Sequence, residues 1–256
     1  MAYWKEVCIC GAVAEVRKTI WWVRSRKGKR AKKTNATPAC VKESNERIAE
    51  RKLGRILNTN FFPGDYHLQL TYKGQAPSPE KSKEDLAKFL RALRKIYRDE
   101  GKEMKYVAVT EHEAKRPHHH LVINQIDPQK IQKAWTHGRV HFVALDDTRD
   151  YRELASYLIK ETSRLIRKGA AGKRWSQSKN LKPYDKLVRR RVSAKEWRSD
   201  PKPMKGYLVE KSSVVDHMWA FGVHQFESQE YVMIRTDVWR SGSGQGIEYG
   251  ENIWRT

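Results

Sequence analysis

Between Phe61 and Lys168 the hydrophobic pattern of this chain switches repeatedly between a period of two and a period of about 3.6 residues, and the order of those switches limits the folds open to it. The first alternating run follows a Pro-Gly-Asp turn, with Tyr66, Leu68, Leu70 and Tyr72 on one side and His67, Gln69 and Thr71 on the other. From Glu80 to Glu100 the apolar residues Leu86, Phe89, Leu90, Leu93, Ile96 and Tyr97 recur at helical spacing, with Ser82, three residues before Asp85, read as the cap. Two strands come next, Tyr106 to Glu111 and a run entered at His118. A short helix from Asp127 to about Trp135, a strand from Arg139 to Ala144 and a helix from about Thr148 to Lys168 complete the series. The order β, α, β, β, α, β, α predicts an α+β fold, a central and largely antiparallel sheet with helices packed on it.

On either side of residues 61–168 the pattern is looser. Residues 1–60 read as a basic N-terminal extension, with a strand-like stretch from Thr19 to Val23 and a loose helical face of Ile48, Leu53, Ile56 and Leu57. Residues 169–256 read as a basic and aromatic C-terminal region that can belong to the same domain. Short strands are expected in it at Tyr207 to Val209, Phe221 to Phe226 and Tyr231 to Arg235.

Charge narrows the partners. Fifty-two Lys and Arg against 30 Asp and Glu leave a formal charge of +22, more than solubility needs, and the excess points to a polyanion, nucleic acid first. An acidic membrane surface would call for a basic amphipathic helix with large apolar anchors, which the basic runs lack. No apolar run is long enough to cross a bilayer and no secretory signal is visible, so no membrane partner and a cytoplasmic location are expected. Cys8, Cys10 and Cys40 form no even disulfide framework and suit a reducing compartment; as a structural zinc site their spacing is weak. The glycine run SGSGQG (241–246) lacks the Gly-Lys-Ser/Thr ending of a phosphate loop.

Basic residues gather in two places. Arg24, Arg26, Lys27, Lys29 and Arg30 lie in a block without periodicity, suited to tracking phosphates. In 169–199, Lys173, Arg174, Arg189 and Arg190 are interleaved with aromatics such as Trp175, a mixture that suits unpaired bases and the strand joining them.

His118 and His120 are one residue apart at the start of an apolar strand. Residues at i and i+2 of a strand project to one face, so the two imidazoles can converge on one ion while Leu121 and Ile123 point into a core. If Tyr106 to Glu111 is the hairpin partner, Glu111 reaches the same region and gives two nitrogens and one carboxylate with open positions. A register in which His119 faces the site is the alternative; strand parity favours His118 and His120.

The last helix carries a buried stripe of Tyr151, Leu154, Ala155, Leu158, Leu165 and Ile166, and Tyr157 lies on its flank. Lys160 and Arg164 share the side of Tyr157. A phenol that titrates near ~10 needs such cations to act as a nucleophile; an ordinary surface Tyr beside a Lys has the same spacing.

Taken in order, the strand Tyr66 to Tyr72, then Glu111 with His118-His119-His120, then Tyr157-Leu158-Ile159-Lys160 resemble the three motifs of the HUH endonuclease superfamily, in particular rolling-circle replication initiators of phages and plasmids. The resemblance covers about residues 61 to 165. It implies a ferredoxin-like or RRM-like core, with Glu111, His118 and His120 as ligands of Mg2+ or Mn2+, Tyr157 as the nucleophile that nicks single-stranded origin DNA, and Lys160 as its helper. It also implies a bacterial host cell as the setting and, since no phosphate loop is present, a separate helicase as partner. Two departures stand out: the middle residue of the histidine pair, usually hydrophobic, is His119, and the helix has no Tyr-x-x-x-Tyr pair. The same motifs fit a transposase or a relaxase. A basic nucleic-acid-binding protein without catalysis, and a metal-dependent hydrolase that uses water, are the readings from other classes.

Overall fold

The computed structural model describes residues 2–21, 39–111, 117–167, 173–194, 196–221 and 224–236. Its elements in chain order are strands β1 (Tyr3–Cys10) and β2 (Val13–Trp21), helix α1 (Ala39–Asn60), strand β3 (Tyr66–Leu70), helix α2 (Pro79–Asp99), strands β4 (Tyr106–Glu111) and β5 (His118–Ile123), helix α3 (Pro128–Ala134), strand β6 (Val140–Ala144), helix α4 (Arg152–Arg167), and strands β7 (Ser176–Gln177), β8 (Val188–Val192), β9 (Tyr207–Val209), β10 (Val215–Phe221) and β11 (His224–Arg235). Two antiparallel sheets and four α-helices among the described residues make the protein α+β, as the periodicities predict. No helix of the described residues is long and apolar enough to cross a membrane.

Contacts divide the chain into two compact units, residues 36–183 and residues 1–35 joined to 184–256. Long-range contacts account for where the two units divide. Helix α1 packs along α4, which draws residues 39–60 into the core unit. The chain after α4 also returns to it. β7 pairs with β4, and Asn60 closes a two-way link to Lys182, donating from Nδ2 to the carbonyl at 2.9 Å and accepting the N–H on Oδ1 at 2.7 Å. In the other unit β1 runs antiparallel to β8 from Tyr3 opposite Val192 to Val7 opposite Val188. The strand order there is β10-β11-β2-β1-β8, with β9 on β11. Val7, Ile9, Ala14, Val16, Tyr207, Tyr231 and Met233 fill its core.

The core unit holds a sheet in the order β6-β3-β5-β4-β7. One face carries Leu68, Leu70, Ala108, Leu121 and Ile123, all buried against Leu86, Phe89, Leu90, Leu93 and Tyr97 of α2 and against Ile131 and Trp135. Each buried Leu, Ile or Phe contributes roughly 1.5–3 kcal/mol relative to exposure. Helix α2 starts at Pro79, within one residue of the expected Glu80, but its cap lies one turn before Ser82. Ser78 is the cap, its Oγ accepting from the Lys81 N–H at 3.2 Å, because Pro79 has the backbone angle of a first helical residue. Ser82, read as the cap, is instead a buried residue of the first turn whose N–H donates to the Ser78 carbonyl at 2.8 Å.

Beyond β3 the chain stays paired with residues 137–139. Thr71 and Lys73 donate to the carbonyls of Arg139 (3.0 Å) and His137 (2.9 Å), and Gly138 permits this approach, since a Cβ there would lie 2.0 Å from the Thr71 carbonyl oxygen. The other face of the sheet carries Val107, Val109 and Val122, all buried. α4 packs against β4 on that side, with Leu158 and Ile159 buried.

Candidate functional site

Register decides which histidines share a face. Glu111 lies opposite His118, Val109 and Gln69 flank His120 from β4 and β3, and Thr110 lies opposite His119. Directly paired residues project to the same side, so Glu111, His118, His120, Gln69 and His67 share the face that meets α4, and His119 points to the other.

His119 is fully buried and bonded at both ring nitrogens. Nδ1 is 2.9 Å from the Thr110 hydroxyl; Nε2 is 3.0 Å from the Tyr72 hydroxyl and 3.4 Å from that of Ser82. Its ring also meets Trp135 and Tyr72 edge-on, at centroid distances of 5.8 and 5.7 Å. The register thus puts His118 and His120 on one face of the strand and His119 on the other. Hydroxyls at both nitrogens satisfy this buried polar ring.

His120 differs. It is 1% exposed, its Nδ1 lies 3.2 Å from Nε2 of His67, and its own Nε2 is buried with no hydrogen-bond partner among the described residues. The two rings are nearly parallel, with centroids 5.4 Å apart and 23° between planes. Burial drives the pKa of both histidines down to about 4, helped by His141 for His67, and by His67 and then His118 for His120. Both imidazoles are therefore neutral at pH 7, the form that can coordinate a cation or accept a proton.

Tyr157 closes the cluster from above. Its ring meets His120 edge-on at 5.4 Å (85°) and His67 at 6.3 Å (72°), and the residue is 43% exposed. The flank position read from the helical stripe is thus real, and it faces the histidine strand. Tyr151, on the buried stripe, is structural: its N–H donates to Asn58 Oδ1 at 2.7 Å, its hydroxyl donates to the Asp146 carbonyl at 3.2 Å, and burial raises its pKa. Lys160 is exposed one turn along α4; Arg164 lies in the same helix, its side chain outside the described residues.

Among the described residues no three His, Cys, Asp or Glu side chains meet at ligand distance, so Glu111, His118 and His120 share a face without closing on one point. Cys8 and Cys10 are buried with their sulfurs 3.7 Å apart and hydrogen-bonded to the carbonyls of Asp185 and Cys8, so both thiols are tied into the packing around β1.

The sequence pattern singled out Glu111, His118, His120 and Tyr157, and it missed His67. That residue was legible only as one polar position of an alternating strand, and its partner is 53 residues away on a neighbouring strand. The predicted nucleic-acid contacts scatter. Arg24, Arg26, Lys27, Lys29 and Arg30 lie outside the described residues. In the core unit Lys173 is exposed and Arg174 half-buried, while Trp175 is half-buried and donates from its indole to Gln177 at 2.8 Å. In the other unit Arg189 pairs with Glu6 at 3.3 Å and lies over the Trp4 ring at 4.4 Å, and Arg190 is exposed opposite Lys5.

One family model, described as Replication-associated protein ORF2, matches residues 65–164. The span takes in His67, Glu111, His118, His120, Tyr157 and Lys160. No curated protein and no solved structure matches this chain. The matched description fits a replication initiator.

Proposed function

We propose that the chain is a rolling-circle replication initiator of the HUH kind, which nicks and rejoins single-stranded origin DNA through a 5'-phosphotyrosyl intermediate. The observation that carries the reading is the Tyr157 ring 5.4 Å from His120, a buried histidine whose Nε2 has no partner. A surface tyrosine of no consequence has no reason to be aimed at an unsatisfied buried base.

The reading includes a divalent metal, on which the donors of this face would have to close. The unpartnered Nε2 of His120, the imidazole of His118 and the carboxylate of Glu111 on the same face make a nitrogen and oxygen donor set suited to Mn2+ or Mg2+. Bound there, the ion supplies Lewis-acid stabilisation of charge on a scissile phosphate. Tyr157 provides the nucleophile: its phenol oxygen attacks phosphorus, the bond to the leaving 3'-oxygen breaks, and that oxygen takes up a proton to leave a free 3'-hydroxyl. The ester keeps the energy of the broken bond, so attack by a 3'-hydroxyl reverses the step and rejoins ends without ATP. Lys160, one turn along α4, and Arg164 favour the anion that develops. In the core unit Lys173 and Arg174 neutralise phosphates, with the neighbouring residue Trp175 for stacking; Arg189 and Arg190 in the other unit, and the block containing Arg24, Arg26, Lys27, Lys29 and Arg30, add positive charge for the same partner. Unwinding falls to a separate helicase in the host cytoplasm.

The test is incubation with labelled single-stranded DNA and Mn2+ followed by denaturing electrophoresis. The expected result is a protein band carrying the label that disappears in Tyr157→Phe. Cleavage that survives Tyr157→Phe without an adduct identifies a hydrolase using water, and binding without cleavage identifies a nucleic-acid-binding protein; either outcome refutes the proposal. Preference for transposon ends or a transfer origin over a replication origin assigns a transposase or relaxase.

A further inference from the structure

The contact between His67 and His120 is a nitrogen-to-nitrogen one, and such a contact holds a single proton. At 3.2 Å, Nε2 of His67 and Nδ1 of His120 either share the hydrogen carried by His120 or share the one carried by His67. The two arrangements have opposite consequences at the far side of the His120 ring. With the proton on Nδ1 of His120, its Nε2 is a lone pair. With the proton on His67, neutral His120 carries its hydrogen on Nε2, which is buried, has no acceptor and cannot bind a cation.

We propose that His67 is a positioning residue: its Nε2 accepts the Nδ1–H of His120 and holds His120 in the tautomer whose Nε2 lone pair is free for a divalent cation. This rests on the reading of His120 as a ligand. The observations that favour it are geometric. His67 sits on β3, two residues from Gln69, the cross-strand neighbour of His120, so it reaches the ring diagonally on the shared face and needs no loop to place it. The near-parallel rings bring ring nitrogen to ring nitrogen, and the Tyr157 ring meets both histidines edge-on, which limits their rotation. A metal-binding imidazole whose other nitrogen donates to a fixed acceptor is held in one tautomer and one orientation, and loss of such an acceptor weakens metal binding about 10- to 100-fold. The usual acceptor is a carboxylate or carbonyl; here a second imidazole takes that place, leaving the pocket no additional negative charge.

Two measurements test this on the full chain. Nitrogen-15 spectra of the metal-free wild type should show His120 protonated at Nδ1 and bare at Nε2; the opposite tautomer overturns the proposal. Mn2+ binding, followed by the resonance of the free ion, should weaken about 10- to 100-fold in His67→Phe, which keeps a ring in place, and recover in part in His67→Gln, whose carbonyl can accept. Loss of affinity in His120→Ala with none in His67→Phe refutes the role of His67 and leaves the ligand reading intact. Unchanged affinity in both refutes the ligand reading and the inference together. Tautomer and affinities as expected with no adduct on DNA support the inference while refuting the nicking reaction.

Discussion

Adjacent residues of one strand, His119 and His120, have the same side chain and equal burial, and they differ in how their nitrogens are satisfied. His119 has a hydroxyl at each nitrogen and packs on Trp135, whereas His120 has a partner at Nδ1 and none at Nε2. A pleated strand sends neighbours to opposite faces, one packed on α2 and Trp135 and the other facing α4. In the proposed reading the chemistry follows the unsatisfied atom and not the residue type. A buried polar group without a partner costs about 1–3 kcal/mol, so the sheet bears that cost at His120 and avoids it at His119.

Substituting the two histidines separately should pull the faces apart, and the largest effect is at His120. His120→Ala should abolish the DNA adduct. It should cost less stability than the neighbouring change, because it removes an atom that was already unsatisfied. His119→Ala removes the imidazole that the Tyr72 and Thr110 hydroxyls meet and opens a cavity beside Trp135, with an expected loss of roughly 2–4 kcal/mol in urea unfolding. Below its melting temperature that variant should still form the adduct. If His119→Ala loses the adduct while remaining folded, or His120→Ala retains it, the division of labour between the faces is wrong.

Gly138 tests the face of His119 from its edge. It lies on the segment that extends the pairing of β3, and an added Cβ would stand 2.0 Å from the Thr71 carbonyl oxygen. Gly138→Ala should therefore push Thr71 and Arg139 apart and cost about 1–3 kcal/mol, with Tyr72 shifted relative to His119. Measured stability equal to wild type would mean that the strand end yields freely and is not part of the support of His119.

Legibility in the sequence followed the range of the interactions. β3 to α4 could be read because each element buries one face, so alternation or a helical stripe survives in Leu68 and Leu70, in Leu86 to Tyr97, and in Tyr151 to Leu158. Glu111, His118, His120 and Tyr157 could be singled out as candidates because strand parity and helix spacing are local, and because the order of the motifs resembles a known superfamily. β1 was not legible: Val7, Cys8, Ile9 and Cys10 are all buried, so no alternation marks the strand. Its pairing with β8 joins Tyr3 to Val192, and the link of Asn60 to Lys182 spans 122 residues, separations that local patterns cannot show. His67 escaped for the same reason, and the cap of α2 was misplaced because Ser82 satisfies the spacing rule while Pro79 fixes the start three residues earlier.

Lys18, in the other sheet, is a third buried base, and the effect expected from it is the smallest. It is 6% exposed, its Nζ donates to Gln229 Oε1 at 2.7 Å, and it lies 5.1 Å from the Tyr231 ring centre. Like His119 it is satisfied, but unlike His119 it carries a charge. Burial, then Lys5 beside it, pulls its pKa down from 10.5 to about 8, with Asp216 opposing. Below pH 8 folded and unfolded chains both hold the proton, and the cost of burying the charge is fully present. As pH rises from 8 to 10.5 the folded state releases the proton first while the unfolded chain still binds it, so stability rises through that window. Relative to Lys18→Met, which has no proton to lose, the wild type should gain on the order of 1 kcal/mol between those limits in urea titrations. Parallel curves for the two proteins would show that this ammonium reaches water, and that a satisfied buried base in this fold bears no measurable cost for its charge.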